Sequence, residues 1–362
     1  MTLSDAALRA PFPYLEERVY LDTAAAGLCW QGHGQACARF FDEVKSRGFD
    51  ARPEWLETTQ KVRRRLAKWL SVDPSDITFV SNTTEALNLA AHSLRWNAGD
   101  RVVLAADEFP SLARAWEPAK RAGALIDALP IEHEADREAA LLAAIASQHA
   151  RVLAVSQTHW GTGTTLDLRR LAAQCRARGV LLVVDGVQAL GAVDTDLSAV
   201  DVYAASMFKW MLSGFGLGVL ITSPLARTQM RPAWLGYANL DDPAQLQYAH
   251  VNIPALYGLD ATLDFFERVG WATVFARVQK LGAHMAEGAA RRGLALLAPS
   301  GGRAGIHSFR CADSEATRLQ LAARGISVAA RGTNVRVSPH YYNTPHEIDL
   351  CLDALAEAGT CS

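Results

Sequence analysis

Between residues 180 and 220, polar side chains follow directly after apolar runs. Asp185 comes after V-L-L-V-V, Ser206 ends D-V-Y-A-A-S, and Lys209 follows three residues later in S-M-F-K-W. Burying an aspartate beside a strand is expensive unless the carboxylate has a partner. Apolar surroundings lower the pKa of a lysine, which favours a nucleophilic amine. The segment therefore has the residue types for chemistry that uses an amine and a carboxylate.

Two interpretations fit Asp185 and Lys209. A buried salt bridge would satisfy both charges, because ion-pair networks also perturb such groups. Alternatively, an amine that forms a Schiff base and an aspartate that faces a pyridinium nitrogen are what pyridoxal phosphate requires of a protein. Ligands of open α/β sheets lie beyond the carboxyl ends of the strands, and Asp185 and Ser206 both lie at such ends. These residues alone leave both interpretations open.

A possible anion site lies at Thr83 and Thr84. Asn82 is placed as a helix N-cap, with Glu85 three residues later at the spacing of a capping box. The preceding strand, Ile77–Val80, delivers a helix N-terminus, where free N–H groups and the helix dipole favour a phosphate. The two threonine hydroxyls can add donors. Plain helix capping explains the same residues.

Short apolar runs alternate with amphipathic stretches over most of the chain. Such runs are typical of strands covered on both faces, and the alternation predicts a mostly parallel α/β sheet flanked by helices. The predicted strands are Ile77–Val80, Val102–Ala106, Val152–Val155, Val180–Val184, Val202–Ala205 and Gly218–Thr222. The helices predicted between them are Thr84–Leu94, Leu112–Arg121, Arg137–Ser147 and Leu168–Arg178.

The pattern changes after about Pro254. A long helical stretch, Ala255–Arg291, is expected to break at Gly270 and Gly282. The predicted elements after it are the strands Gly305–Arg310, Ile326–Ala330 and Val335–Ser338 and the helix Pro345–Ala358. We therefore predict a large domain over residues 15–255 and a smaller C-terminal α+β domain over residues 256–362, together with residues 1–14.

Composition narrows the class of protein. Half of the 362 residues are hydrophobic, and 36 basic against 38 acidic residues give a net charge of −2, so we expect a globular protein without affinity for nucleic acid or an anionic membrane. No apolar run reaches the roughly 18 residues of a membrane span, and the N-terminus lacks a signal-peptide pattern, so we expect a cytoplasmic protein. Six scattered cysteines without C-x-x-C favour neither a disulfide framework nor a zinc site.

Four motifs in order along the chain resemble the class V aminotransferase family, which includes the cysteine desulfurases. They are Y-L-D-T-A-A-A-G at Tyr20–Gly27, F-V-S-N-T-T-E-A-L-N at Phe79–Asn88, the segments V-V-D-G-V-Q-A-L-G, S-M-F-K-W and G-F-G-L-G-V-L within residues 183–220, and V-R-V-S-P-H-Y-Y-N-T at Val335–Thr344. The resemblance covers nearly the whole chain. It implies fold type I of the pyridoxal phosphate enzymes, with a mostly parallel seven-stranded sheet, and pyridoxal 5'-phosphate as the cofactor.

The resemblance also implies roles for the matching residues. Lys209 and Asp185 would be catalytic, with Lys209 forming the Schiff base and Asp185 facing the ring nitrogen. Phe109 would stack on the ring, where many relatives have histidine. The other implied cofactor contacts are Thr83, Thr84, Ser206, Gln188 and His159, with Trp160 as the alternative to His159.

Substrate and partner contacts follow from the same comparison. Arg336 matches the arginine that binds the substrate carboxylate, since arginine offers a bidentate fork. Arg331 and Ala25 are further implied substrate contacts, and no metal is expected. Asn252, with His250, resembles the segment that reaches the phosphate of the partner subunit, so we expect a homodimer.

Two departures from the family bear on the activity. Cysteine desulfurases carry a catalytic cysteine between the two C-terminal arginines, but G-T-N-V alone separates Arg331 from Arg336. Phe208 stands where many relatives place histidine. The resemblance implies a pyridoxal phosphate enzyme acting on a small amino acid, nominally by transamination. The alternatives are a carbon–sulfur β-lyase without a persulfide cysteine, an amino-acid epimerase, and a non-catalytic binding protein that keeps the fold.

Overall fold

The computed structural model describes residues 4–134, 136–147, 149–242, 245–297 and 304–359. The strands are β1 (Val19–Tyr20), β2 (Ile77–Val80), β3 (Arg101–Ala105), β4 (Leu125–Leu129), β5 (Val152–Ser156), β6 (Leu181–Asp185), β7 (Val202–Ser206), β8 (Gly218–Thr222), β9 (His307–Arg310), β10 (Ile326–Ser327), β11 (Ala329–Arg331) and β12 (Asn334–Val337). The helices are α1 (Asp5–Arg9), α2 (His33–Arg47), α3 (Arg52–Leu70), α4 (Thr83–Ser93), α5 (Pro110–Arg114), α6 (Glu117–Arg121), α7 (Arg137–Ser147), α8 (Leu168–Arg176), α9 (Pro224–Thr228), α10 (Ile253–Val269), α11 (Trp271–Arg291), α12 (Ser314–Ala323) and α13 (Pro345–Glu357).

The main sheet has seven strands within the described residues, in the order β2-β8-β7-β6-β5-β3-β4. Neighbours from β7 to β4 run parallel, whereas β8 runs antiparallel to both β2 and β7. Strands β5 to β8 are buried along their whole length, which explains their continuous apolar runs. The predicted mostly parallel α/β sheet is confirmed.

Apolar cores cover both faces of this sheet. Successive side chains of a strand point to opposite faces, so Val183 belongs to one core and Val184 to the other. Helices α3, α7, α8 and α10 contribute to the core around Val184, and helices α4, α5 and α6 to the core around Val183. The sheet is thus the middle of three layers, which leaves its strand ends as the places where polar side chains meet.

A smaller unit is built on an antiparallel sheet in the order β11-β12-β9. Residues of α11, α12 and α13 form its core. The N-terminal segment joins this unit, because β1 pairs with β10 and Arg9 Nη1 lies 2.8 Å from Glu347 Oε2. Helix α10 instead packs against α2 and α3, where Arg65 Nη1 lies 2.6 Å from Asp260 Oδ1. The predicted domain limit between residues 255 and 256 falls inside the first turn of α10.

Several elements differ from the sequence prediction. The expected break at Gly282 is wrong, because α11 continues through it; a Cβ there would lie 3.3 Å from His307 Nε2, so glycine lets β9 approach. The predicted helix Leu112–Arg121 is two short helices, α5 and α6, and Pro118 stands in the first turn of α6, where it supplies no N–H. Strand β4 and helices α2 and α3 were not predicted; β4 is only partly buried, so it has no continuous apolar run.

Cysteine pairing departs from the expectation at one position. Cys311 is disulfide-bonded, whereas Cys29, Cys37, Cys175 and Cys351 are free thiols. A disulfide requires Cα atoms roughly 4.4–6.8 Å apart. The spacing of cysteines along the chain does not indicate which of them come this close in the fold.

In the parts of the chain that the structure describes, no helix is both long enough and apolar enough to cross a bilayer.

The carboxyl ends of β2, β5, β6 and β7 lie at one edge of the main sheet. Because β8 runs the other way, its beginning lies there too, and the preceding turn contains Gly214 and Gly216 with φ of +66° and +87°. Such φ values favour glycine. Asp185, Ser206 and the turn before β8 therefore lie close together at this edge of the sheet.

Glu108 follows β3 at the same edge and is nearly completely buried. Its Oε1 accepts a hydrogen bond from the Ser156 amide at 2.9 Å, and the Ser156 hydroxyl donates to Oε2 at 2.5 Å. Ser156 is in register with Asp185 on the next strand. Burial raises the pKa of Glu108 to about 7, and the Asp185 charge adds to that rise. Folding therefore favours a protonated Glu108.

Replacing Glu108 by glutamine should stabilise the protein at pH 8 more than at pH 5. An unfolded glutamate ionises near its ordinary value of 4.5, whereas the folded one ionises near 7, so the stability of the native protein falls as pH rises between these values. In glutamine, the amide oxygen still accepts from the Ser156 amide, and Nε2 donates to the Ser156 hydroxyl oxygen, which reverses that hydrogen bond. The substitution removes a cost of up to about 3 kcal/mol at pH 8. Thermal melts at both pH values measure this.

The matched control is Glu132→Gln, which alters an exposed glutamate outside the sheet edge. Its melting temperature should differ from that of the wild type by a similar amount at both pH values. A Glu108→Gln protein whose melting temperature differs from wild type equally at pH 5 and pH 8 would contradict the protonated state of Glu108.

Candidate active site

A cavity of about 380 Å³ opens at the edge of the sheet where these strands end. It brings together ten of the residues singled out from the sequence. They are Ala25, Thr83, Thr84, Phe109, Asp185, Gln188, Ser206, Lys209, Arg331 and Arg336. Residues separated by more than 300 positions in the chain thus line the same cavity.

One end of the cavity is the N-terminus of α4. The Asn82 side chain accepts a hydrogen bond from the Glu85 amide at 2.9 Å, and the Ser81 amide donates to the Glu85 carboxylate at 2.7 Å. The predicted N-cap at Asn82 is therefore present, but the capping box is not complete, because the Glu85 carboxylate accepts from Ser81 and not from the Asn82 amide. The N-cap holds the first turn of α4 in place beside the end of β2.

Hydroxyl groups surround this helix N-terminus. The Thr83 amide donates to Ser206 Oγ at 2.7 Å, and the Thr83 hydroxyl lies at the same distance from Ser206 Oγ. The Thr84 hydroxyl lies 2.8 Å from the Ser111 hydroxyl, and all four residues line the cavity. Hydroxyl donors together with a helix N-terminus suit an anion such as a phosphate.

Asp185 ends β6 at the floor of the cavity and is 3 % exposed. The Val187 amide donates to its Oδ1 at 3.0 Å. Burial raises the pKa of Asp185 to about 6, while this hydrogen bond and the charge of Lys209 oppose the rise. The carboxylate is therefore mostly ionised at neutral pH and can hold a cationic partner.

Lys209 lies in an apolar environment, as its neighbours in the sequence indicate. Its Nζ is 5.9 Å from the ring centre of Phe109 and 5.7 Å from that of Phe208. Burial lowers the pKa of Lys209 to about 8, against the opposing effect of Asp185. Lys209 and Asp185 interact through their charges without a hydrogen bond between them, so a tight buried salt bridge is not what holds them here.

Aromatic rings form the open side of the cavity. Phe109 is 41 % exposed, and its ring meets that of Trp160 edge-on with centres 5.9 Å apart. Phe208 and Phe215 stack with ring centres 4.3 Å apart, and Phe215 is 71 % exposed. An exposed aromatic face on a cavity can stack on a planar ligand.

Gln188 lines the cavity, and both the nitrogen and the oxygen of its side-chain amide form hydrogen bonds. Its Nε2 donates to the Ala24 carbonyl at 3.0 Å, and Trp210 Nε1 donates to its Oε1 at 2.9 Å. An amide nitrogen carries two protons, so one Nε2 proton remains available to a ligand. The hydrogen bonds fix the side chain without using all of its donors.

Arg336 comes from β12 of the smaller unit and is 2 % exposed. Its Nη1 donates to the Trp160 carbonyl at 3.1 Å, and its Nη2 lies 3.5 Å from Asp22 Oδ1. Within the described residues, Nε and Nη2 have no hydrogen-bond partner. Burial lowers the pKa of Arg336 to about 10, so the group stays cationic. Buried donors without partners are costly, and a bound carboxylate would satisfy them.

The structure does not bring His159 and Asn252 into the cavity. Both ring nitrogens of His159 are engaged elsewhere, with Nε2 3.1 Å from the Asp107 carbonyl and Nδ1 3.0 Å from the Thr162 hydroxyl. Asn252 is exposed and caps α10, where its Nδ2 donates to the Gly216 carbonyl at 3.2 Å. Within this chain, His159 and Asn252 support the surroundings of the cavity and do not line it.

Three residues of the site were not selected from the sequence. Ser111 lines the cavity beside Thr84, Phe215 forms part of its wall, and Asp22 faces Arg336. Asp22 lies in the motif Tyr20–Gly27, which could have pointed to it, and Phe215 lies in G-F-G-L-G, which we interpreted only as a turn. In the described ranges, no cluster of histidine, cysteine and acidic side chains has the arrangement of a metal site.

Comparison with known proteins gives consistent results along the chain. The model of the family "Aminotransferase class-V" matches residues 19–350. The isopenicillin N epimerase of Amycolatopsis lactamdurans is 30 % identical over 94 % of this chain and 97 % of its own, and the probable cysteine desulfurase of Methanothermobacter thermautotrophicus is 26 % identical over 97 % of each.

A similar fold is found among solved structures. The complex of the cystine C-S lyase C-DES with cysteine persulfide has a TM-score of 0.87 and 24 % sequence identity, over 96 % of this chain and 99 % of that one. The match of the family model over most of the chain decides the assignment: this chain belongs to the class V aminotransferase family.

Proposed function

We propose that the protein is a pyridoxal phosphate-dependent enzyme that removes the amino group of a small α-amino acid by transamination. The observation that carries the proposal is the cavity itself, which brings a buried lysine, a buried carboxylate and a buried arginine with unpaired N–H groups together beside a helix N-terminus. Membership of the class V aminotransferase family supports the same activity.

The residues present fit this cofactor. The N-terminus of α4, with Thr83, Thr84 and Ser206, would hold the phosphate, and Phe109 would cover the ring. Asp185 would face the ring nitrogen, and Lys209 would hold the carbonyl carbon. When bound, pyridoxal phosphate supplies an electron sink for the α-carbon of the substrate.

The protein side chains would then carry out binding and proton transfer. Arg336 would bind the α-carboxylate of the substrate with the N–H groups that have no partner in the described part of the chain. Asp185, ionised above its raised pKa of about 6, would keep the proton on the ring nitrogen. Lys209, whose pKa is lowered to about 8, has a sizeable neutral fraction near pH 8 and would act as general base toward the α-proton.

The lining of the cavity favours a reaction with one base. Lys209 is the only amine or imidazole among the described residues that line it, and Phe109 brings no titratable group. Epimerisation with two bases therefore lacks a second base here. No described cysteine lines the cavity either, which disfavours a persulfide mechanism. Carbon–sulfur β-elimination starts with the same proton removal as transamination and remains the alternative to be separated by experiment.

We also propose that the enzyme is a homodimer. Phe49, Leu235 and Tyr237 are 70 %, 76 % and 60 % exposed, and exposed apolar patches of this kind mark interaction sites. Phe49 and Tyr237 line a second cavity that also includes Asn252, which is hydrogen-bonded to Gly216 in the turn that carries Phe215. The cavity lined by Phe49 and Tyr237 thus adjoins the turn that carries Phe215, on the open side of the proposed cofactor cavity.

Replacing Lys209 by alanine should abolish the visible Schiff-base absorbance of protein mixed with pyridoxal phosphate, because no other described lysine lines the cavity. Lys280→Ala, which alters an exposed lysine on α11, should keep the absorbance of the wild type. Spectra of the three proteins at equal cofactor concentration measure this. A Lys209→Ala protein with the absorbance unchanged would refute the role of Lys209.

The fate of the amino group separates the candidate reactions. Holoenzyme mixed with single amino acids should lose its Schiff-base absorbance as the amino group moves to the cofactor, and a keto acid should restore it. Release of pyruvate and sulfide from cysteine with the absorbance retained would instead show β-elimination. Absorbance spectra and assays for pyruvate and sulfide on the same samples distinguish the two, and a protein that never binds the cofactor would contradict both.

Light scattering should give twice the 39.2 kDa mass of the chain. The double variant with Phe49→Glu and Tyr237→Glu should shift toward the monomer and bind pyridoxal phosphate less well, because charges would be buried in the interface. Leu319→Glu, which alters a 54 % exposed leucine of α12 outside this patch, is the control and should stay dimeric. A wild-type monomer with full cofactor occupancy would contradict the dimer.

A further inference from the structure

Arg331 is the least constrained charge of the cavity. It lines the cavity and is exposed at its mouth. Its Nη1 donates to the carbonyl of the adjacent Ala330 at 2.9 Å. Among the described residues, no carboxylate forms an ion pair with it. A cation on a cavity wall without a carboxylate partner in the described part of the chain is available for a ligand.

The register of the smaller sheet places Arg331 and Arg336 on one face. Ala329 is opposite Arg336, and Arg331 is opposite Asn334. Directly opposed residues share a face and alternate residues repeat it, so Arg331 and Arg336 are diagonal neighbours facing the same way. Val335, between them in the pattern, points to the other face and is buried in the core of the smaller unit.

The two arginines differ in how far their charge is balanced. Arg336 has Asp22 at 3.5 Å and would bind the α-carboxylate of a substrate. Arg331 acts electrostatically on both Asp22 and Arg336, so it belongs to this end of the cavity. The N-terminus of α4 and the hydroxyl groups around it would bind the cofactor phosphate in another part of the site. One cationic group therefore remains for the rest of the substrate.

We propose that Arg331 binds a second carboxylate, so that the preferred substrates are amino acids with an acidic side chain. The inference rests on the proposed function, because it assumes that Arg336 takes the α-carboxylate. Arginine suits the task, since its planar guanidinium binds a carboxylate through two parallel hydrogen bonds. Its exposed position lets the side chain swing to meet the distal carboxylate of the substrate.

The first test compares each acid with its own amide, which has nearly the same size. In the wild type, kcat/KM should be higher for glutamate than for glutamine, or for aspartate than for asparagine. Arg331→Gln should lower kcat/KM for the acid at least tenfold and leave that for the amide within about threefold, as expected for loss of a charge-assisted hydrogen bond. Arg331→Lys should retain part of the preference, because it keeps the charge and loses the fork.

The control variant is Arg310→Gln. Arg310 is an exposed arginine on β9 of the same sheet that does not line the cavity. It should leave both rates as in the wild type. Equal losses for acid and amide in Arg331→Gln, or a wild-type preference for the amide, would overturn the inference.

A binding measurement gives a readout that does not depend on turnover. Calorimetric titration of holoenzyme should show that glutarate, a dicarboxylate, binds more tightly than butyrate, a monocarboxylate. Arg331→Gln should weaken glutarate binding at least tenfold and leave butyrate unchanged, whereas Arg336→Gln should weaken both. Equal binding of glutarate by wild type and Arg331→Gln would overturn the inference.

Failure of the proposed function and failure of the acidic substrate class would give different results. A protein that binds no pyridoxal phosphate would refute the proposed function whatever the titrations show. A holoenzyme that transaminates neutral amino acids and ignores Arg331→Gln would refute only the acidic substrate class.

Discussion

The burial of Asp185 at the end of β6 is the constraint on which the rest of the site depends. Burial raises the pKa of Asp185 despite the hydrogen bond from the Val187 amide, so positive charge nearby is needed to stabilise its ionised form. Lys209 supplies part of that charge, but the same burial lowers the pKa of the lysine. Neither group is satisfied by the other alone. A cation bound at Asp185 would balance its charge and leave the amine of Lys209 available for chemistry.

The smaller unit contributes to the site through well-buried contacts. Arg336 reaches from β12 to the Trp160 carbonyl, and the Ser308 hydroxyl donates to the Gly161 carbonyl at 2.5 Å. Trp160 in turn donates from Nε1 to the Asp107 carbonyl at 3.0 Å and packs edge-on against Phe109. Trp160 thereby links the ring proposed to cover the cofactor to the arginine proposed to hold the substrate. A shift of one unit against the other would move Arg336 relative to Lys209.

The sequence predicts the parts of the site that come from local patterns. The apolar runs before Asp185 and Ser206 mark strand ends, and the spacing of Asn82 and Glu85 marks a capped helix, because these signals depend on neighbours in the chain. Gln188 and Arg336 could be located only through the resemblance to a family. Their hydrogen bonds to Trp210 and Trp160 join distant segments, and no periodicity in the sequence reports such pairs. For the same reason Asp22 and Ser111 escaped selection, although Asp22 lies in the motif Tyr20–Gly27 and Ser111 lies two residues after Phe109.

Two residue types that many members of the family have at this site are absent from the described lining of the cavity. A histidine at the position of Phe109 would add a titratable ring above the proposed cofactor, and a cysteine between Arg331 and Arg336 would add a nucleophile. This chain has a hydrocarbon ring at the first position and a short turn at the second. Without either group, the proposed proton transfer would fall to Lys209, and the guanidinium of Arg331 lines the cavity. The short turn that disfavours persulfide chemistry also follows Arg331, a cation without a carboxylate partner in the described part of the chain, so the proposed reaction type and the proposed substrate class both depend on one turn of the smaller sheet.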